Sequence, residues 1–419
     1  MKSKNVIFNI GVLLFITFCV QFTDLKIGYI KIAELLLLAI TPVVFLWRLN
    51  KYIIYLFVFF SLMVLISLVT TSDLEFNYMV PSFFKRPYWI TLSRYLEIVT
   101  GLILCNICYL YFRSLKKTGE FEYYINLFID INLAITLIFV FVYVLVVFGI
   151  ISMNDTRLVY SYATRLRGYY AEGGPLGLML SFFFILCRWI PNIYKRIVVR
   201  VFLFIVITFM AQSKAGIFGC LVWTAIENFR FTVYKLKRFL LPLIAIASIV
   251  FIYLFININK MYVDEFDRVR RAVLERPRDR NLILGRVSGF FIAPKMIMEN
   301  PILGIGTGNY PLLRNNKEYR GFFPLPPEDI RNIDAHGYGG IIDILVDNGL
   351  MGLTLFFLIM GVIFLKVRNV RGSPELLLGF IVLFLFGVQI HFMYPWVLLA
   401  LVLSSTSYDE VGSGSQIDS

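Results

Sequence analysis

The sequence predicts an all-α polytopic membrane protein, with about twelve transmembrane helices and a long outer loop between the ninth and tenth. Three observations carry this. The 419 residues are 59% hydrophobic and 17% aromatic but only 16% charged, and the mean hydropathy is +0.77, outside the range of soluble globular domains. Apolar runs of the length that crosses a bilayer, about 20 residues each, recur near 5–22, 27–47, 52–71, 93–112, 125–151, 172–190, 197–212, 215–229, 239–258, 341–365, 374–390 and 394–406. The basic residues between them alternate from side to side.

That alternation sets the expected topology, because cytoplasmic loops retain Lys and Arg during insertion. With the N-terminus inside, the inside segments carry Lys2 and Lys4; Arg48 and Lys51; Arg113, Lys116 and Lys117; Arg188, Lys195, Arg196 and Arg200; Arg230, Lys235, Lys237 and Arg238; then Lys366, Arg368 and Arg371. Both termini are therefore expected in the cytoplasm. Residues 1–258 form helices 1–9, 259–340 a loop subdomain, 341–406 helices 10–12 and 407–419 a polar cytoplasmic tail. Insertion topology accounts for the net charge of +13, which excludes nucleic acid as a partner. Two lysines before the first apolar run imitate a secretory signal, but no small-residue cleavage site follows, so this run reads as the first span. All five cysteines fall in predicted spans. Cys105 and Cys108 have CxxC spacing but no second ligand pair.

The informative cations are those that topology leaves outside: Lys85 and Arg86; Arg157, Arg165 and Arg167; Lys214; and a group in 259–340, where 13 Lys and Arg face 10 Asp and Glu. The first half of that loop, YVDEFDRVRRAVLERPRDR, reads as a charged surface helix ended by Pro277. Lys214 stands in AQSKAGIFG, where two short apolar runs meet with almost no polar connection. A cation at mid-bilayer costs about 2.5–3.5 kcal/mol on insertion scales, so it is usually paired or lines a watery site. The plainer alternative is a lysine reaching to lipid headgroups. Arg165 and Arg167 precede a Gly173-Gly174-Pro175 break at the outer mouth of the sixth span. Interfacial anchoring beside Tyr169 and Tyr170 explains them equally well.

The chain is organised around Leu284–Gly352. Arg286 opens RVSGFFIAPKMIMEN, whose Phe290, Phe291, Met296 and Met298 suit a helix lying on the outer membrane surface and ended by Asn300-Pro301. LGIGTGNY follows, with glycines at 304, 306 and 308. The spacing is not GxGxxG and no strand precedes it, so this is a tight loop for close backbone approach rather than a nucleotide site. FFPLPPED then leads to His336, and Gly337, Gly339 and Gly340 introduce the tenth span. A lone histidine is more often structural, but this one stands at the outer entrance of a helix.

In order and placement these residues resemble the C-terminal signature of the bacterial O-antigen ligase and polymerase family. That signature is an arginine, an apolar helix, P-x-x-G-x-G-x-G, a variable segment, then a histidine and a span holding an acidic residue, Gly, x, x, Gly. Here it reads Arg286, Pro301-Ile-Leu-Gly-Ile-Gly-Thr-Gly308, His336 and Asp347-Asn-Gly-Leu-Met-Gly352. The motif portion covers roughly 65 residues; the span count and the long outer loop agree over most of the chain. Three departures stand out. Ser213-Lys214 replaces the family's Ser-Arg, which keeps the charge and loses the bidentate fork. Asp347 replaces the more usual Glu. Arg167-Gly168 leads to Glu172-Gly173-Gly174-Pro175 where the family has Pro-Asn.

The resemblance implies a GT-C-like membrane glycosyltransferase of the bacterial inner membrane whose site faces the periplasm. Its donor is an undecaprenyl-diphosphate-linked glycan, and its acceptor is a hydroxyl of a second glycan. Lipids surround it, and a chain-length-regulating co-polymerase is an expected partner. His336 would be the catalytic base. Arg286, Lys214, Arg167 and Arg165 would hold the leaving diphosphate, and no metal or cofactor is implied. One base and one anion cradle suffice for a single displacement with inversion, without the carboxylate pair of retaining glycosidases. The basic, irregular loop and the incomplete Ser-Arg turn favour polymerisation of repeat units. The alternatives are ligation of the glycan to lipid A core or to a protein, and a lipid-linked oligosaccharide flippase. The flippase is disfavoured because the chain lacks the internal repeats common in transporters.

Overall fold

The computed structural model describes residues 2–28, 30–46, 49–76, 83–160, 164–236, 286–321, 339–370, 372–385 and 389–405, with parts of 271–276 and 323–331. The apolar run 239–258, the segment holding His336 and the tail 407–419 lie outside the described residues. Helix is present within each of the other eleven apolar runs. The charged helix expected before Pro277 is described only at 271–272 and 274–275, which are helical.

The protein is mostly helical, and its composition and helix lengths are those of a membrane protein. Among the described residues, four helices are long and apolar enough to cross a bilayer: Lys51–Asp73, Trp89–Thr118, Phe121–Val147 and Ile341–Val367. Five shorter apolar helices accompany them: Val6–Gln21, Ile32–Pro42, Gly173–Trp189, Ser373–Phe384 and Met393–Ser404. The described strands are two short antiparallel hairpins, β1 (Lys26–Ile27) with β2 (Ile30–Lys31), and β3 (Val159–Tyr160) with β4 (Arg165–Leu166).

The chain divides into two compact units. The first comprises 1–61, 95–223 and 355–419; the second comprises 62–94 and 224–354. The first contains α1 (Lys2–Gln21), α2 (Ile32–Leu46), most of α3 (Lys51–Thr70) and α4 (Trp89–Thr118), and α5 (Phe121–Val147). It also holds α6 (Gly173–Leu186), α7 (Ile193–Ile205) and the start of α8 (Lys214–Leu236). The apolar window of α4 is 72% buried, whereas that of α5 is 28% buried, so α4 lies inside the unit and α5 exposes most of its apolar surface. Exposed Leu137, Ile138 and Phe141 on α5 are what a lipid-facing surface requires. The burial of α4 depends on Gly101: a Cβ there would collide with the indole of Trp396, in the first turn of the last helix (Met393–Ser404), every residue of which is buried. A helix apolar all round can be stable only when enclosed in this way.

The second unit contains α9 (Arg286–Glu299), three single-turn helices, α10 (Tyr310–Leu313), α11 (Lys317–Arg320) and α12 (Glu328–Arg331), and the first half of α13 (Ile341–Val367). Its core is Ile292, Ala293, Met296, Ile305, Tyr310, Leu313, Tyr319 and Val346. The helix expected at 286–299 is present and ends at Asn300-Pro301. Its faces are divided differently from the sequence expectation: Met296 is fully buried in this core, while Met298 remains exposed. Two positions apart on a helix point to different sides, so the two methionines cannot share one surface. The last helices of the chain, α14 (Ser373–Leu385) and α15 (Met393–Ser404), pack against each other in the first unit.

Candidate functional site

In the first unit the structure gathers two of the expected site residues, Arg165 and Lys214, around one turn. Helix α7 runs on into a π-helical turn, Val206–Met210, and the chain reverses through Ala211, Gln212 and Ser213 before Lys214 begins α8. Wide turns of this kind are frequent at functional sites because they re-aim the backbone without ending the helix. Gln212 sits at φ 50°, a left-handed conformation that a non-glycine residue rarely adopts, so the reversal needs outside support. Arg165 supplies it. Its Nε donates to the Ala211 carbonyl (3.1 Å) and its Nη2 to the Gln212 carbonyl (3.0 Å). Ser213 Oγ donates to the Gly174 carbonyl (2.9 Å) and accepts the Gly216 N–H (3.1 Å), which caps α8 and ties it to the first turn of α6.

Lys214 is exposed beyond this clamp. Arg167 is held separately: its Nε donates to the Arg157 carbonyl (2.7 Å) and its Nη1 to the Ala171 carbonyl (3.4 Å). Arg165 and Arg167 thus brace backbone, and the ammonium of Lys214 is the group the clamp presents. Arg165→Ala is expected to destabilise the protein by about 1.5–3 kcal/mol, the range for hydrogen bonds to a charged group. The check is the unfolding temperature in detergent, with Arg157→Ala as the comparison.

In the second unit the glycine loop and α13 form a single structure. Gly349 has φ 62° and ψ −166°, which breaks α13 about two turns inside its start. A continuous helix would join the Val346 carbonyl to the Leu350 N–H and the Asp347 carbonyl to the Met351 N–H. The loop takes all four groups instead. Leu350 N–H donates to the Pro301 carbonyl (2.8 Å) and Met351 N–H to the Ile302 carbonyl (3.1 Å); the Val346 and Asp347 carbonyls accept from Ile305 N–H and Gly306 N–H (both 2.9 Å). Backbone groups freed by a break in a long apolar helix need internal partners, and here one nine-residue loop provides them.

Side chains fix the loop from both sides. Thr307 N–H donates to Ser67 Oγ (2.9 Å), Thr307 Oγ1 to Asn348 Oδ1 (3.0 Å), and Asn309 Nδ2 to Thr71 Oγ1 (2.9 Å). Asp347 accepts the Gly308 N–H (3.3 Å) and lies within electrostatic reach of Arg94 and Asp343. Asp343 in turn accepts the Gly339 N–H (2.6 Å), which pins the entrance of α13 three residues after His336.

The chain matches no protein-family model and no curated protein.

His336 lies outside the described residues, and of Arg286 the structure describes the backbone, which opens α9. Among the described residues no three His, Cys, Asp or Glu side chains form a group that could hold a metal. Sequence reasoning missed Arg94, Asn348 and the pair Ser67 and Thr71. The last two were legible as hydroxyls at i and i+4 in an otherwise apolar run, hence on one helix face. It also passed over Arg320 and Arg331, whose charges interact: burial, and then Arg331, push the Arg320 guanidinium below its ordinary range.

Proposed function

We propose that the chain is a membrane glycosyltransferase that polymerises glycan repeat units carried on undecaprenyl diphosphate, at the periplasmic face of the bacterial inner membrane. The observation that supports this most is the docking of Pro301–Asn309 onto the break at Gly349. The two glycine motifs that flank His336 in sequence are one folded object, as a site assembled around the intervening histidine requires. In this reading the acceptor hydroxyl loses its proton to His336 as its oxygen attacks the anomeric carbon. The carbon–oxygen bond to the lipid diphosphate breaks, and the departing negative charge is taken up by a cation, for which Lys214 of the first unit and Arg286 of the second are separate candidates. Arg165 then acts through the backbone it braces, so its part in diphosphate binding is to place Lys214, while Arg167 supports the segment that leads into α6.

The test is the full-length protein in liposomes with lipid-linked repeat units. Lengthening of the lipid-linked glycan supports the reading. Transfer only to lipid A core or protein would make it a ligase, and movement across the bilayer without any transfer would reject the enzyme. Lys214→Ala should cut transfer by about 10- to 100-fold, the effect of losing about 1.4–2.7 kcal/mol of charge stabilisation. Lys214→Arg should retain most of the activity. Equal losses in both variants would show that Lys214 does not act through its charge.

A further inference from the structure

The second unit carries cations that the proposed transfer does not use. Arg320 is the last residue of α11, just before Gly321, whose φ of 61° turns the chain sharply. The guanidinium is anchored through one nitrogen only: Nη1 donates to the Asn315 carbonyl (3.3 Å). Its Nε is covered from water, and neither Nε nor Nη2 has a hydrogen-bond partner among the described residues. Arg331, at the end of α12, brings a second guanidinium near enough for the two charges to repel. Lys295 of α9 adds a third positive charge. Its ammonium donates to the Glu318 carbonyl (3.2 Å) and lies so close to Gly321 that a Cβ added there would sit 2.7 Å from it.

Among the described residues no carboxylate pairs with Arg320 or Lys295. Two acidic side chains beside the turn face other groups: Glu318 Oε1 accepts from Asn316 Nδ2 (3.1 Å), and Glu299 hydrogen-bonds Tyr319. Like charges held close and a donor hidden from water both cost free energy, and an anion removes both costs at once. The geometry says what kind of anion. Nε and Nη2 form one edge of the guanidinium, whose two parallel N–H bonds match two oxygens of a carboxylate or a phosphate. Arg320 as a whole is half-buried, so this edge is approached from solvent through Nη2. Arg331 precedes His336 by five residues, which keeps the two backbones within about 18 Å of each other.

We propose that Arg320, with Arg331 beside it, binds an oxyanion carried on a sugar of the glycan substrate, a carboxylate or a phosphate ester. Arg320 then selects acidic repeat units, and the bound anion both pairs its open edge and offsets the repulsion between the two guanidiniums. Lys295 adds positive potential from the side of Gly321, while its ammonium stays on the Glu318 carbonyl. The identity of the ligand as a glycan rests on the glycosyltransferase reading. The binding of an oxyanion at Arg320 does not.

Unfolding temperatures of the full-length protein in detergent test this, with glucuronate, a hexose phosphate and neutral glucose as probes at matched ionic strength. A ligand that binds the native state raises the unfolding temperature. The acidic sugars are expected to raise it and glucose to leave it unchanged. Arg320→Gln should weaken acidic-sugar binding by about 10- to 100-fold, the loss of hydrogen bonds to a charged group. Arg320→Lys, which keeps the charge without the fork, should recover only part of it. Should Arg320→Gln fail to fold, Arg331→Gln is expected to reduce the same shift. Transfer by the wild type without any acidic-sugar binding would reject this site alone, whereas binding without transfer would reject the enzyme and leave the oxyanion site standing. Vesicles of phosphatidylglycerol separate a lipid source from a glycan one: an Arg320-dependent shift with them and none with the acidic sugars would overturn the proposal. So would a shift that Arg320→Gln, or in its place Arg331→Gln, leaves at full size.

Discussion

His336→Ala is expected to lower glycan transfer in reconstituted membranes by about 10²–10⁴-fold, which corresponds to about 2.7–5.5 kcal/mol of barrier. An acceptor sugar hydroxyl is a poor nucleophile until a base takes its proton, and the imidazole, with a reference pKa near 6.5, does so at neutral pH. The loss should appear in the rate at saturating donor rather than in donor binding, since the leaving diphosphate is assigned to cations. The wild-type rate should fall as the medium becomes more acidic than about pH 6.5 and the base protonates, and the residual rate of the variant should lack that limb. Wild-type transfer by His336→Ala would remove the histidine from the mechanism and leave the outer loop without a base.

Gly349→Ala is expected to be the most damaging substitution for the folded state, at about 3 kcal/mol or more. Two penalties add. Alanine is strained at φ 62°, a cost of about 1–3 kcal/mol. Its Cβ would also collide with the Ile302 carbonyl, which accepts the Met351 N–H, and a backbone atom cannot swing aside as a flexible side chain would. Displacing it frees the donors and acceptors that the loop satisfies, each costly to leave unmet in an apolar setting. Gly361→Ala in the same helix is the control: nothing lies within 4 Å of the added methyl, so the change should be neutral or stabilise by up to about 1 kcal/mol. Unfolding temperature and protease sensitivity of the loop would report both. Equal behaviour of the two variants would show that the break is not what holds the loop.

Hydropathy and the placement of Lys and Arg were enough to establish a helical membrane protein and to locate most helices within a few residues, because span length and side-chain polarity are local quantities. The glycines at 304, 306 and 308 were also visible, and their positive φ agrees with the close approach expected of them; Gly349 was visible only as part of a motif. Their partners were not. That the loop replaces the helical bonds of α13 depends on two segments more than forty residues apart, and only the folded backbone brings Pro301 to Leu350.

The same limit governed the charges. Arg165 and Arg167 were singled out as displaced cations that either meet a ligand or anchor at the interface; what the linear order did not show is that donors of Arg165 brace the strained reversal at Gln212 and donors of Arg167 reach the Arg157 and Ala171 carbonyls. Arg320 and Arg331 drew no notice, since each is a single charge in a mixed-charge loop. The sequence by itself determined which segments are apolar helices and where the irregular loop falls, since those depend on composition along the chain. Tertiary structure alone decided which charges meet, because pairing energy depends on distances between residues that the linear order keeps far apart.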